Sequence, residues 1–266
     1  MKSRILVAVV GVPVLVWVVL WAPTLVMMAA LAILAGIGSW ELVRCVNGGE
    51  RCGWESVGVI FSMWAVWVYY KSPDAIAVFF VAAGVLVSAL AVLEAGKMKF
   101  HHLTAILFGG IFLSYSFSAF LRMEAVGVHR AYLLLPFILS FACDTFAYFA
   151  GLAFGKHKLA PKVSPKKTIE GSIGGMAGNV VCGLLFAFVM DRWFGGSIGY
   201  GAMALLALLC GIVAQVGDLS FSLIKREFGI KDYGHLFLEH GGVLDRFDSV
   251  LFVTPVIEMV LMFALR

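Results

Sequence analysis

Charge is what this sequence has least of. Only 14% of its 266 residues are Asp, Glu, Lys or Arg, too few to cover a soluble domain of that size, so the solvent for most of the chain is lipid. Cysteine is sparse and scattered: Cys45, Cys52, Cys143, Cys182 and Cys210 form no C-x-x-C or Cys/His spacing, which favours apolar filler over zinc or a disulfide framework. His101, His102, His129 and His157 likewise show no ligand spacing. No run alternates apolar and polar residues as a barrel strand does, so a membrane barrel is excluded and helices remain. There is no internal repeat, low-complexity tract or linker, and residues 1–266 read as a single membrane domain. The formal charge of +4 is small; its placement matters more than its sum, and no nucleic-acid partner is expected.

What the chain does have is apolar length. The hydrophobic fraction is 62% and the mean hydropathy +0.98. Met-Lys-Ser-Arg is followed by 36 uncharged residues, Ile5 to Trp40. At helical rise that is about 54 Å, suited to two spans with a turn at Ala22-Pro23-Thr24. The stretch is too long for a signal peptide's core, so an uncleaved first span is expected. Further apolar windows cover Ser56–Tyr70, Ala75–Leu93, Leu103–Leu121, Ala131–Gly155, Gly171–Met190, Trp193–Gly217 and Ser249–Leu265. The expected fold is therefore all-α, a polytopic integral membrane protein of about nine transmembrane helices. With the N-terminus in the cytoplasm, fifteen of the 20 Lys and Arg residues fall inside and five outside, the bias of a cytoplasmic-membrane protein. The two longest polar connections, Lys156–Thr168 and Lys225–Arg246, then lie on the cytoplasmic side, which puts the expected active site at that face.

Ionisable residues within spans are costly and point to function. Asp144 sits in the sixth window, Asp218 ends a long apolar helix, and Asp245 and Asp248 open the last one three residues apart, on one helical face. If the helices bearing Asp218 and Asp245 are neighbours, three carboxylates converge. Such oxygen ligands suit magnesium; pairing of each carboxylate with Lys225 or Arg246 would account for the same spacing. Asp218, Ser222 and Lys225 form a stripe at i, i+4 and i+7, matching either a phosphate-binding column or a helix end with snorkelling cations. Ser164-Pro165-Lys166-Lys167-Thr168 reads as a stiff turn before a helix, where Lys166 and Lys167 would grip a phosphate or attract anionic headgroups. Gly171, Gly174, Gly175 and Gly178 are better explained by close helix packing than by a ligand. Glu258 reads as a satisfied interhelical partner.

Two blocks of these residues resemble a known family. Ser222-x-x-Lys225-Arg226, then Lys231-Asp232-x-Gly234, then His240-Gly241-Gly242-x-x-Asp245-Arg246-x-Asp248 is similar to the signature of the phosphatidate cytidylyltransferase (CDP-diacylglycerol synthase) family. Asp144-Thr-Phe-Ala-Tyr148 with Ser164-Pro-Lys-Lys-Thr168-x-Glu170-Gly171 resembles its second typical block. The likeness covers roughly 141–175 and 211–249; the first 130 residues resemble the family only in being membrane spans. One departure is plain: the proline, often with glycine, that usually precedes His-Gly-Gly is here Leu238-Glu239.

The resemblance implies cytidylyl transfer from CTP to phosphatidate within the bilayer. It implies Mg2+ held by Asp218, Asp245 and Asp248, with room for a second, monovalent cation such as K+. Lys225 and Arg246 would join these aspartates as catalytic groups. Asp144, Ser164, Lys166, Lys167, Thr168, Glu170, Ser222, Arg226, Lys231, His240, Gly241 and Gly242 would contact the substrates. A homodimer is allowed, not fixed, by the sequence. A transporter would spread polar residues through the membrane depth and repeat its halves, and a CDP-alcohol phosphotransferase would carry a different run of aspartates; neither pattern is present.

Overall fold

A computed structural model describes residues 2–196, 198–234 and 241–264, with side chains from Gly11 onward. The chain is nearly all helical: α1 (Lys2–Leu20), α2 (Thr24–Cys45), α3 (Glu55–Lys71), α4 (Ile76–Leu93), α5 (Phe100–Phe108), α6 (Ser114–Ala125), α7 (Leu135–Phe154), α8 (Ile169–Trp193), α9 (Tyr200–Glu227) and α10 (Leu244–Ala264). Among the described residues seven helical segments are long and apolar enough to cross a membrane: Thr24–Cys45, Pro73–Leu93, Phe100–Ala125, Arg130–Phe154, Ile169–Trp193, Tyr200–Glu227 and Leu244–Ala264. On α4, Val78, Val81, Val85, Val92 and Leu93 are all exposed, a surface suited to hydrocarbon and not to water.

Three local features differ from the sequence expectation. The basic stretch after α7 is not a simple turn but an antiparallel hairpin of β1 (Lys158–Ala160) and β2 (Ser164–Thr168). Its strands are too short for a period-2 pattern to register, and lysine masks what alternation there is. The window that began at Trp193 is interrupted: Trp193 ends α8, and α9 starts only at Tyr200. Gly195, Gly196 and Gly199 between them take positive φ, a backbone region that helices do not use and glycine enters freely. Finally, α10 begins at Leu244, five residues before the apolar window, while Asp245 and Asp248 open the helix as the sequence predicts.

The chain divides into two compact units: residues 1–122 with 224–247, and residues 123–223 with 248–266. In the first, α2 packs on α3 through bare backbone; a Cβ on Gly58 would fall 2.6 Å from the Ser39 hydroxyl. Gly109 and Gly110 sit in a π-helical turn, Gly109–Leu113, that joins α5 to α6. Side chains there would strike Ser39 and Phe61, so the glycines let this kinked span close on α2 and α3. Leu42, Phe61, Leu113 and Phe117 fill the core.

In the second unit α7 and α8 run against each other along a glycine stripe. A Cβ on Gly171 or Gly175 would meet the carbonyls of Ala147 or Cys143, one on Gly174 would meet Ala150, and one on Gly178 would fall on the Phe146 ring. Close packing is thus what these glycines do. Gly178→Val is expected to destabilise the protein by about 2–3 kcal/mol through overpacking, read as a lower thermal midpoint in detergent. Toward α10, Gly217 of α9 lies against the Asp248 carbonyl and the Phe252 ring, and the Ser249 hydroxyl donates to Ala214 O at 3.1 Å. The helices bearing Asp218 and Asp248 are therefore neighbours, as the sequence argument required.

Candidate active site

In the second unit a cleft of about 390 Å³ opens between α7, the hairpin, α8 and α9. Asp144 and Tyr148 line it from α7, Lys166, Lys167 and Thr168 from β2, Gly171 and Ser172 from α8, and Gln215 and Asp218 from α9. Each position has a local cause. Thr168 leaves the strand in extended geometry and caps α8, its hydroxyl accepting Gly171 N–H at 3.1 Å, which turns the chain sharply after the two lysines. Glu170 ties the hairpin's base, accepting the Lys156 and His157 amides at 3.1 and 3.2 Å and pairing with His157 Nδ1 at 2.6 Å. Ser164, half-buried, opens β2.

The cleft's charges are arranged around Asp218. Its Oδ2 pairs with the Lys167 ammonium, and its Oδ1 accepts the Ser222 hydroxyl at 3.2 Å, so the helical stripe predicted for α9 is real at its first step. Asp144 feels both Asp218 and Lys167 electrostatically. Gln215 donates to Ser172 O and Gly211 O at 3.3 and 3.1 Å, locking α9 to α8 beneath the cleft. Two acids, two lysines and hydroxyls on one apolar-walled cleft form a setting that favours an incoming polyanion: phosphate can take over the lysine that a carboxylate now holds.

The first unit carries the other signature residues. Lys225, near the end of α9, reaches Asp245 Oδ1 at 2.7 Å, and both side chains are largely buried, at 12% and 7% exposure. Asp245 Oδ2 accepts the amides of Tyr233 and Gly242 at 2.8 and 2.9 Å, and the Lys225 ammonium lies 5.4 Å over the Tyr233 ring. Gly241 has φ +81° and presses on the Asp245 carboxylate, where a Cβ would fall 2.7 Å from Oδ2. Only glycine meets both demands. Arg226, Lys231 and Arg246 are exposed, Arg226 donating to Ile230 O at 3.3 Å. In the second unit, Asp248 is half-buried and its Oδ1 accepts Ser249 N–H at 2.7 Å. His240, with Leu238 and Glu239, lies outside the described residues.

The chain matches the cytidylyltransferase family over residues 2–264. It belongs to that family. It is 35% identical over 181 residues, 68% of this chain and 67% of the relative, to a protein of Staphylococcus haemolyticus named phosphatidate cytidylyltransferase. Proteins of the same name from Staphylococcus epidermidis and Staphylococcus aureus are 34% and 35% identical over the same shares. The family match takes in the first 130 residues, where membrane spans alone had offered no motif.

That N-terminal part contributes a buried acid which the motifs did not reveal. Glu41 of α2 is buried, at 1% exposure, and its two oxygens accept the amides of Val243 and Leu244, each at 2.9 Å. The signal was present: an acid ends the uncharged stretch Ile5 to Trp40, and an ionisable group at such depth is costly unless satisfied. The cysteines gain no role. All five are free, and burial pushes the thiol of Cys52, in the loop before α3, above its ordinary range, away from thiolate chemistry.

The metal expectation can be tested against the donor set. Among the described residues no three His, Cys, Asp or Glu side chains gather into a ready-made cage. Magnesium does not need one, since one or two carboxylates and substrate phosphates suffice. Asp144 and Asp218, both lining one cleft, are hard oxygen donors of that kind, so the residues fit the ion.

Proposed function

We propose that this chain transfers a cytidylyl group within the membrane by a metal-assisted displacement, at the cytoplasmic face of the inner membrane. The reaction is CTP plus phosphatidate to CDP-diacylglycerol and pyrophosphate, a step of phospholipid biosynthesis, and both the nucleotide and the lipid reach it as polyanions. A phosphatidate phosphate oxygen forms a new bond to the α-phosphorus of CTP. The bond from that phosphorus to the α–β bridging oxygen breaks, and pyrophosphate leaves with the electron pair. The attacking oxygen is already anionic, so no strong general base is needed. The demand is to hold two polyanions together and to stabilise charge on the leaving group.

The chain's own cations meet that demand. Lys166, Lys167, Lys225, Arg226 and Arg246 take phosphate oxygens, with Lys231, Ser222, Thr168, Ser164, Glu170 and the His240-Gly241-Gly242 loop shaping the substrate's surroundings. Lys167 and Lys225, each paired with an aspartate, exchange that partner for phosphate. Asp144 and Asp218, which line one cleft, would hold Mg2+, and the family resemblance adds Asp245 and Asp248 as further ligands. When bound, the ion supplies Lewis-acid neutralisation of phosphate charge; a monovalent cation such as K+ would fill a neighbouring role. Nine spans with the N-terminus in the cytoplasm, both units acting as one membrane domain, and assembly as a homodimer complete this reading.

The observation that supports it best is the Lys167–Asp218 pair in a cleft that Asp144 and Lys166 also line, with the Ser222 hydroxyl on the same aspartate. The test is incubation of the purified, folded protein with labelled CTP, phosphatidate and Mg2+. Label is expected in CDP-diacylglycerol, with release of pyrophosphate and dependence on the divalent ion. A folded preparation that makes no labelled lipid overturns the proposal.

A further inference from the structure

We infer that Glu41 is a positioning residue for the reaction, a buried carboxylate on α2 that fixes the backbone presenting Asp245 and Arg246. This rests on the reading of Asp245 as part of the reacting machinery. The amides of Val243 and Leu244 belong to the start of α10, where helix geometry leaves N–H groups without an intrahelical acceptor. Glu41 takes both, one on each oxygen, at 2.9 Å. It does so across 202 residues of chain, so the first residues of α10 are tied to α2 by polar bonds.

Two glycines close on the same carboxylate. A Cβ on Gly234 would fall 2.6 Å from Glu41 Oε1, and one on Gly242 would collide with the carboxylate itself. Asp245 then follows Leu244 directly and takes the amides of Tyr233 and Gly242. Glu41 and Asp245 thus hold four backbone N–H groups of one short stretch between them. A single isolated acid at a helix start would be an ordinary cap. The interlock with Asp245, and the two glycines trimmed to fit, argue for a support that sets where Asp245 sits.

Glu41→Gln replaces one of two acceptors with an amine that faces a backbone N–H, so Val243 or Leu244 loses its partner. Turnover per folded molecule is expected to fall about 100-fold, as for a displacement of about 1 Å at a reacting group. KM for CTP should change far less, since the cations that bind the nucleotide remain. Hydrogen exchange should quicken over 241–248 and stay as it was in α7 and α8. A purely structural role would reduce the yield of folded protein without this local signature. Glu41→Asp keeps both acceptors but withdraws them by about 1.5 Å, and should recover part of the lost turnover.

If Glu41→Gln fails to fold, Gly242→Ala approaches the contact from the other side and should give the same pattern. Exchange in the unaltered protein decides independently: slow amides at Val243 and Leu244 support the inference, and amides as fast as an open loop overturn it. Wild-type turnover and unchanged exchange in Glu41→Gln, alongside an inactive Asp245→Asn, remove Glu41 alone. An active Asp245→Asn removes the reading of the site on which it rests.

Discussion

Asp245→Asn is expected to lower CDP-diacylglycerol formation roughly 1,000-fold while leaving the protein folded and in the membrane. The size follows from what the carboxylate does. One oxygen faces the Lys225 ammonium and the other accepts two backbone amides, and asparagine cannot repeat this. Turned one way, its amine points at an ammonium; turned the other, it points at two N–H groups. Either choice leaves donors facing donors at the place where phosphate charge must be met. Losing one preorganised electrostatic group in a reacting site costs about 100- to 1,000-fold, and here a proposed ion ligand is lost with it. The fold should persist because Glu41 still holds Val243 and Leu244 and because α10 is anchored by buried Val250, Val253, Ile257 and Leu261. The measurement is turnover per folded molecule, with folding judged by elution and thermal midpoint. Turnover within tenfold of wild type would remove Asp245 from the chemistry.

How far the sequence could reach is clearest at particular residues. The helices were legible because lipid imposes a simple rule: long apolar runs must be helical, and a proline such as Pro23 interrupts them; the break at Gly195-Gly196 was not, because it lies inside the apolar window that began at Trp193. The two polar blocks were legible because acids and cations so near apolar runs are expensive. The hairpin at Lys158–Thr168 was not, since three- and five-residue strands rich in lysine carry no usable period. Nor was the Glu41 link, because no local pattern connects a glutamate on α2 with amides 202 residues later. Gly242 shows the same limit from the other side. Its place in His-Gly-Gly marked it as a substrate contact, and the structure gives it a further reason, the Glu41 carboxylate against its Cα. Residues that serve others at long range are visible only when the chain is folded.

The second large effect separates stability from chemistry at the same pair. Lys225→Met removes the ammonium from Asp245 and leaves a nearly buried carboxylate, at 7% exposure, with two amides as its remaining partners. Removing one member of a buried ion pair costs about 3–5 kcal/mol; the amides of Tyr233 and Gly242 should hold the loss to about 3 kcal/mol. The thermal midpoint in detergent should therefore fall by several degrees. Adding Asp245→Asn removes the stranded charge, so the double variant should be more stable than Lys225→Met alone even though it has lost more native groups. Activity should not follow: a phosphate contact and a proposed ion ligand are both gone, and the double variant should be as inactive as Asp245→Asn. If stability fails to return in the double variant, the Lys225–Asp245 bond is not what holds the loop. If activity returns, the pair is scaffolding, and the catalytic cations must be sought among Lys166, Lys167 and Arg226.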